Sequence, residues 1–396
     1  MRHGDTATTA LPASQGDARL RQIALARQSV LLDGTELTEA LASAWLDRAW
    51  IMQSWRRCLQ RGQQPGADVA FDPVPASARA DAQDAHAALL AAARPELQRL
   101  AAAIAPIRYF VLLTDAQGCV IDTAGAIDHR NRATHAIARV GVDLSERSVG
   151  TTAIGAALAE RAPVWLHRGE HFFNATAVYS CAGAPLFGPD GACLGMLDVT
   201  GVDAPERPEL QYLVARSAQG IEDALVLARP HALRLHLAWP AGWRVAGGGE
   251  GAGLLCLDVD GQVTGANATA RQMLPALHGL AHGPLHASDL FALPWAQLFD
   301  LAQRQGEAAT LPLWSGLRVQ VTAQAAADHP APGASATARP GTPRSLKAVE
   351  TDLIHQAVRQ AGGRVADAAR ALGVSRATVY RRLGGAGSRV RDGSPS

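Results

Sequence analysis

The chain has 396 residues, more than one ordinary hydrophobic core organises, so two to four domains are expected. Hydrophobic residues make up 48% of it, and this fraction excludes a wholly disordered chain. The formal net charge is +1, which excludes a protein that is basic throughout. Any nucleic-acid-binding charge therefore has to be concentrated in one segment.

The cysteines and the N-terminus indicate the compartment. The five cysteines include no CxxC pair, and their odd number suits a reducing environment better than a disulfide framework. Residues 1–17 are small and polar, so they predict a disordered leader and not a signal peptide. Alanine-rich runs such as 87–93 are short and soon interrupted by charge. No membrane span is therefore predicted, and the expected location is the cytoplasm.

The N-terminal half predicts a helical region followed by a mixed one. Apolar residues recur at three- and four-residue steps between 18 and 104, as at Leu37 and Leu41, and this spacing predicts helices. Pro95 is expected to kink or divide the last of them. From 105 to 227, short apolar and β-branched runs alternate with amphipathic helices. This alternation predicts an α+β sensor unit.

A second and smaller α+β unit is predicted at 243–325. Its strand at 254–258, the turn that follows and the helix after Asn267 repeat the pattern of the first unit. Residues 326–345 are rich in Ala, Pro, Gly, Thr and Ser, which is typical of a flexible linker. The expected fold class is therefore α+β and multidomain, with an all-α C-terminal segment.

The C-terminal segment 346–385 has the spacing of three short helices, followed by a tail at 386–396. A Gly-Gly pair ends the first helix, Gly373 permits a tight turn after the second, and Ser375 is a natural N-cap for the third. Residues 344–396 hold ten Arg and Lys against four Asp and Glu, a local net charge of +6. This pattern predicts a helix-turn-helix that binds double-stranded DNA; the alternative is a three-helix bundle with a solvated basic face.

Residues of the third helix are the candidate DNA contacts. Side chains in its first turn reach base edges, whereas later arginines hold phosphates. The candidates are Ser375, Arg376, Thr378, Tyr380, Arg381 and Arg382. The run from Gly363 to Leu383 resembles the Fis-type helix-turn-helix of enhancer-binding activators. This resemblance implies a homodimer on a two-fold symmetric site.

Several runs between 45 and 227 resemble the GAF sensor of the acetoin-catabolism regulator family. They are SWRRC at 54–58, VGTTAIGAAL at 149–158, GEHF at 169–172, CAGAPL at 181–186 and GMLDVTG at 195–201. The resemblance implies a pocket, between a sheet and its covering helices and loops, that binds a small-molecule effector. Residues 243–325 resemble a PAS domain more loosely, and a degenerate dimerisation module is an equal alternative.

Six residues are candidates for ligand contacts in that pocket. The helix start at Thr151 and Thr152 offers N–H groups and hydroxyls to a polar or anionic group; the alternative is simple helix capping. The next loop and strand add His171, Asn174, Tyr179 and Cys181, and the alternative for His171 is a structural histidine. A metal site from His167, His171 and Cys181 is not predicted, because the spacing matches no zinc pattern. No cofactor is expected.

The sequence contains no GxxxxGK[ST] run, so the ATPase of full-length enhancer-binding activators is not predicted. The leading hypothesis is a transcription regulator that is not an enzyme, with RNA polymerase as a further candidate partner. One alternative is a competitor of a full-length activator at shared sites. Another is a thiol-dependent methionine sulfoxide reductase, because Cys119, Cys181 and Cys193 all fall in the GAF-like region.

Arg376→Ala should weaken binding to the true operator by about 1–3 kcal/mol and binding to scrambled DNA by much less. A guanidinium in the first turn can contact guanine through two hydrogen bonds, whereas Arg382 is expected to hold phosphate. Fluorescence anisotropy at one salt concentration measures both affinities. Arg382→Ala is the control and should lose equally on both DNAs. Equal losses for Arg376→Ala would remove this residue from the base-reading set.

Overall fold

A computed structural model describes residues 15–35, 45, 48–71, 84–240, 252–304 and 306–326. They form two antiparallel five-stranded sheets with helices packed against them, which confirms the predicted α+β class. None of the helices in these ranges is long and apolar enough to cross a membrane. The predicted helix-turn-helix with its six candidate DNA contacts, the tail, and most of the leader and linker lie outside the described residues.

The first sheet is formed by five strands: β1 (Tyr109–Asp115), β2 (Val120–Gly125), β3 (Val164–His167), β4 (Tyr179–Phe187) and β5 (Cys193–Val202). Their spatial order is β2-β1-β5-β4-β3, so the central strand β5 pairs with β1 and β4. The turn after β1 forms because Asp115 Oδ1 accepts the N–H groups of Gln117 and Cys119, each at 2.9 Å. Gly118 completes this turn with a φ of +90°, which favours glycine.

Helices cover both faces of this sheet. They are α1 (Gln15–Arg27), α2 (Ala49–Gln60), α3 (Ala87–Ile104), α4 (Arg132–Ile137), α5 (Glu146–Val149), α6 (Ala153–Glu160) and α7 (Leu210–Leu227). All of β1 is buried because its alternate residues enter two different cores. Val111 and Leu113 pack under α3 and α7, whereas Phe110 and Leu112 pack against α4, α5 and α6.

Pro95 lies inside α3, and the helix continues through it. The helix is therefore not divided at Pro95, and the alternative outcome of a kink stays a prediction. Leu89, on one side of the proline, and Leu97 and Leu100, on the other, are all buried in the same core. Packing along the whole helix thus compensates for the backbone hydrogen bond that proline cannot donate.

The described N-terminal helices pack against the first unit. Trp45, Trp55 and Ile23 form a buried cluster with Phe172 and Phe173, which lie more than a hundred residues further along the chain. A π-helical turn, Gln28–Leu32, extends α1 and adds buried leucine and valine side chains to the same cluster. Aromatic burial on this scale fixes these helices on the sensor.

The second sheet is formed by β6 (Leu233–Ala238), β7 (Gly253–Leu257), β8 (Val263–Ala266), β9 (Ala309–Pro312) and β10 (Arg318–Ala325), in the order β8-β7-β6-β10-β9. Three short helices pack on it: α8 (Ala268–Met273), α9 (Ala287–Leu290) and α10 (Ala296–Ala302). The central strand, β6, precedes residue 243, where the sequence predicted the unit to begin. The PAS likeness of this unit stays a prediction.

The Glu170 carboxylate is fully buried and joins the N-terminal helices to the sheet. Arg48 donates to both oxygens, at 2.6 and 2.9 Å, and Arg19 donates to Oε1. The backbone N–H of His167 donates to Oε2 at 2.7 Å. Each oxygen of this carboxylate is therefore satisfied, as a charge without access to water requires.

Glu170→Gln should lower the free energy of unfolding by about 3–5 kcal/mol, because two guanidinium groups lose their buried counter-charge. Urea unfolding of the purified chain measures this change. Glu209→Gln is the matched control, since Glu209 pairs with Arg207 at an exposed position and its loss should cost less than about 1 kcal/mol. Similar losses for the two variants would contradict the central role of Glu170.

Candidate functional site

A small cavity lies between the first sheet and the helices α4 to α6, and we call it the effector cavity. Its volume is about 20 Å³, room for about one water molecule. Seven of its lining residues are apolar: Phe71, Leu112, Ile137, Leu144, Val149, Ala153 and Ile154. The other seven are polar: Thr152, His171, Thr176, Tyr179, Cys181, Asp198 and Thr200. A metabolite larger than water therefore requires some of these side chains to move.

A series of hydrogen bonds connects several of the polar lining residues. His171 Nδ1 lies 2.9 Å from the carbonyl oxygen of Arg168, which can only accept, so this nitrogen carries the proton. His171 Nε2 is then an acceptor, and the Cys181 thiol, 3.5 Å away, donates to it. The Thr200 hydroxyl lies 3.3 Å from the same sulfur and also bonds Asp198 Oδ2. Burial lowers the pKa of His171 to about 4, so the imidazole is neutral at physiological pH.

Within this series of hydrogen bonds, Asp198 is the residue with a side-chain oxygen that has no partner. The residue is fully buried, and its Oδ1 has no hydrogen-bond partner although its Oδ2 does. Burial raises the pKa of Asp198 to about 7, so the carboxyl group is roughly half protonated at neutral pH. A buried carboxyl oxygen without a partner is rare and marks a place where a ligand group can bind.

Four of the six predicted ligand residues lie around the effector cavity. Thr152, His171, Tyr179 and Cys181 line it. Thr152 also caps α6, because its hydroxyl oxygen accepts the N–H of Gly155 at 3.2 Å. The Tyr179 hydroxyl donates to the carbonyl of Ala133 at 2.9 Å, so the ring forms the wall while its proton is engaged elsewhere.

The other two predicted residues lie away from the cavity. Thr151 is buried, and its hydroxyl bonds Ser54 at 2.7 Å. Asn174 is exposed, and its Oδ1 accepts from Arg27 at 2.8 Å. Sequence reasoning missed Asp198 and Thr200 as ligand candidates. The available signal was an acidic residue within the apolar strand run GMLDVTG.

The charge of the effector cavity favours a neutral ligand. None of its lining residues is Lys or Arg, and its histidine is neutral. An anion would meet the partly ionised Asp198 without any compensating cation. His167, the remaining residue of the metal combination considered in the sequence analysis, bonds Ser180 at 2.7 Å. Within the described part of the chain, no three His, Cys, Asp or Glu side chains are grouped closely enough to hold a metal ion.

The N-terminal helices hold the segment that carries His171. Arg27 donates to the carbonyls of Gly169 at 2.9 Å and Phe172 at 3.0 Å. The Trp55 indole donates to the carbonyl of Glu170 at 2.9 Å. Trp55, in the SWRRC run, therefore supports the cavity indirectly, because it bonds the backbone of the segment that carries His171.

The comparisons with known proteins agree with this architecture. Residues 22–223, half of the chain, match the family of the MimR N-terminal domain, and residues 345–384 match the Fis family of bacterial regulatory proteins. The acetoin catabolism regulatory protein of Cupriavidus necator is 33% identical over 243 residues, which are 59% of this chain and 36% of that protein. The acetoin dehydrogenase operon transcriptional activator AcoR of Bacillus subtilis is 29% identical over 182 residues, 45% of this chain and 29% of that protein.

These matches confirm the predicted resemblance to acetoin regulators and to the Fis-type helix-turn-helix. The matched part of the chain spans only about a third of the length of these relatives. Among solved structures, the E. coli DhaR(N)–DhaL complex is similar, with a TM-score of 0.42 and 15% identity, over 69% of this chain and 97% of that chain.

Asp198→Asn should make the stability of the protein less dependent on pH. The wild-type carboxyl has a pKa of about 7 when folded against an ordinary value of 3.8, so the folded state binds more protons between these values. Wild-type stability therefore falls as pH rises from 4 through 7, by up to about 1.4 kcal/mol per pH unit from this residue. Urea unfolding at pH 5, 6, 7 and 8 measures both proteins.

The control is Asp128→Asn, an exposed carboxyl that bonds only the local N–H of Arg130. This substitution should leave the pH dependence as in the wild type. If Asp198→Asn also leaves the slope unchanged, Asp198 is not the buried titrating group described above.

Proposed function

Because the chain belongs to the family of the MimR N-terminal domain, we propose that it is a DNA-binding transcription regulator controlled by a small neutral metabolite. The observation that carries this proposal is the unpaired Asp198 oxygen on the wall of the effector cavity, in a chain that also has a Fis-type match. The local charge of +6 in residues 344–396 supports DNA binding. The two relatives described above are named as a regulatory protein and a transcriptional activator.

The effector has a polar end and an apolar end. A ligand hydroxyl donates to Asp198 Oδ1 when the carboxyl is ionised, and a ligand carbonyl accepts from it when the carboxyl is protonated. Methyl groups pack on apolar lining residues such as Ile137 and Leu112, which is the cross-strand neighbour of Asp198. Acetoin, which the names of two relatives mention, is a small hydroxyketone and meets these requirements. It is therefore the first compound to test.

Effector binding changes DNA affinity through a homodimer that bridges a two-fold symmetric site. The two ligand states favour different placements of the two DNA-binding segments, a coupling typically worth about 1–3 kcal/mol. The protein acts in the cytoplasm, where RNA polymerase is a further partner. The DNA contacts proposed are those of the third helix, from Ser375 to Arg382.

The thiol chemistry argues against an enzyme. Burial raises the pKa of Cys119 to about 11 and the pKa of Cys181 well above its ordinary value. The thiolate is the reactive form of cysteine, so these residues are poor nucleophiles at neutral pH. The proposal is therefore a regulator without a thiol-dependent reductase activity.

Acetoin should stabilise the purified full-length chain by about 2.7 kcal/mol at a hundred times its dissociation constant. Thermal melts measure this, and anisotropy on an operator found by genome-wide mapping measures the change in DNA affinity. Asp198→Leu, which has neither a donor nor an acceptor, should lose most of the stabilisation, because it removes the unpaired oxygen of the cavity lining. Asn174→Ala, outside the cavity, should keep it. The proposed sensing function would be overturned if neither acetoin nor related small alcohols and ketones stabilised the protein, or if Asp198→Leu responded fully.

A further inference from the structure

A second cavity lies where the two sheet units meet, and we call it the junction cavity. Its volume is about 330 Å³, and it opens to solvent. The first unit contributes Arg161, Phe187 and Asp190 to its lining, and the second unit contributes Arg271 and His278. It shares no lining residue with the effector cavity, so its role is separate.

Arg271 brings a buried positive charge to this cavity that the protein neutralises only in part. The residue is 5% exposed, and its Nη1 donates to the carbonyls of Gly188 and Ala266. Its Nη2 has no hydrogen-bond partner, and the nearest carboxylate, Glu222, is 4.0 Å away. Burial raises the pKa of Glu222 to about 7, so this carboxyl carries only part of a negative charge at neutral pH. The cation is therefore incompletely balanced.

Arg161 adds a second guanidinium at the same place. Its side chain is exposed, lies over the Phe187 ring at 4.6 Å from the centroid, and donates to the Gly191 carbonyl at 3.2 Å. The Arg271 guanidinium lies 5.7 Å from the centroid of the same ring. No carboxylate among the described residues forms an ion pair with Arg161 within 4.0 Å. Both guanidinium groups therefore lie near the Phe187 ring, and carboxylates balance neither of them fully.

We propose that the junction cavity binds a phosphate group, either as inorganic phosphate or as the phosphate monoester of a metabolite. Two guanidinium groups face one lining carboxylate, Asp190, whose Oδ1 is engaged with the N–H of Ala192 at 3.1 Å. A phosphate presents at least three strong acceptor oxygens, enough to accept from both guanidinium groups at once, whereas a monocarboxylate presents two. The fork of a guanidinium also matches the geometry of phosphate oxygens.

A ligand at this position ties the two units together. The junction is already held by Glu222, whose two oxygens accept the N–H of Phe187 at 3.0 Å and the N–H of Ala268 at 2.8 Å. The N–H of Ala266 donates to the Pro189 carbonyl at 2.9 Å. Phosphate between Arg161 and Arg271 adds a bridge beside these bonds. The second unit would therefore respond to a different class of metabolite from the one in the effector cavity.

The test is calorimetric titration of the full chain with inorganic phosphate, glycerol 3-phosphate and acetate at constant ionic strength. We expect saturable binding of at least one phosphate compound and weaker binding of acetate. The tighter of the two phosphate compounds identifies the source. Arg161→Gln, at an exposed position that should not disturb folding, should weaken binding at least about tenfold. Arg229→Gln, an exposed arginine outside the cavity, should bind as the wild type does.

Three results would overturn the proposal. They are the absence of saturable phosphate binding up to about ten millimolar, equal affinities in Arg161→Gln and the wild type, and acetate binding as tight as phosphate binding. Acetoin stabilisation measured on the same Arg161→Gln protein separates this site from the effector cavity. It should be unchanged, because Arg161 does not line that cavity. Loss of the acetoin response together with phosphate binding would mean that the variant is misfolded. Arg161→Lys at the same exposed position keeps the charge but not the guanidinium fork, so it would then repeat the test and should also weaken phosphate binding.

Discussion

The buried carboxylate of Glu170 is the interaction on which the sensor unit depends. Arg19 and Arg48 reach it from the N-terminal helices, and the backbone of His167 reaches it from the end of β3. These donors together stabilise a negative charge that has no access to water. The carboxylate therefore holds together segments that are far apart in the sequence. His171 follows Glu170 directly, and the wall of the effector cavity is therefore placed by an ion pair that lies outside the cavity.

The effector cavity contains one lining group, the Asp198 carboxyl, whose hydrogen-bonding capacity is only partly used. The Tyr179 hydroxyl and the Thr152 cap are engaged, whereas one Asp198 oxygen is unpaired. A ligand that supplied a partner to this oxygen would recover the cost of burying it, which is why the proposed effector carries a hydroxyl or carbonyl group. Because the carboxyl group titrates near neutral pH, it can accept from one ligand group or donate to another.

One strand connects the two cavities. Tyr179 and Cys181, at the beginning of β4, line the effector cavity, and Phe187, at its end, lines the junction cavity. β5 pairs with every residue of this strand, whereas β3 pairs only with its residues 180–183, and the pairing with β5 shifts register between Leu186 and Phe187. The strand therefore joins the linings of the two cavities through one continuous backbone, with an irregular step just before Phe187.

The sequence by itself determined the α+β class, the continuous apolar run that buries both faces of β1, the turn at Asp115, and the cap at Thr152. These features depend on residues close together in the chain, and local spacing and hydrogen bonding decide them. Only the tertiary structure decided that Thr151 and Asn174 face away from the cavity, that Asp198 and Thr200 line it, and that α3 continues through Pro95. Periodicity tells which side of an element a residue occupies, but which other element covers that side depends on contacts between segments distant in sequence.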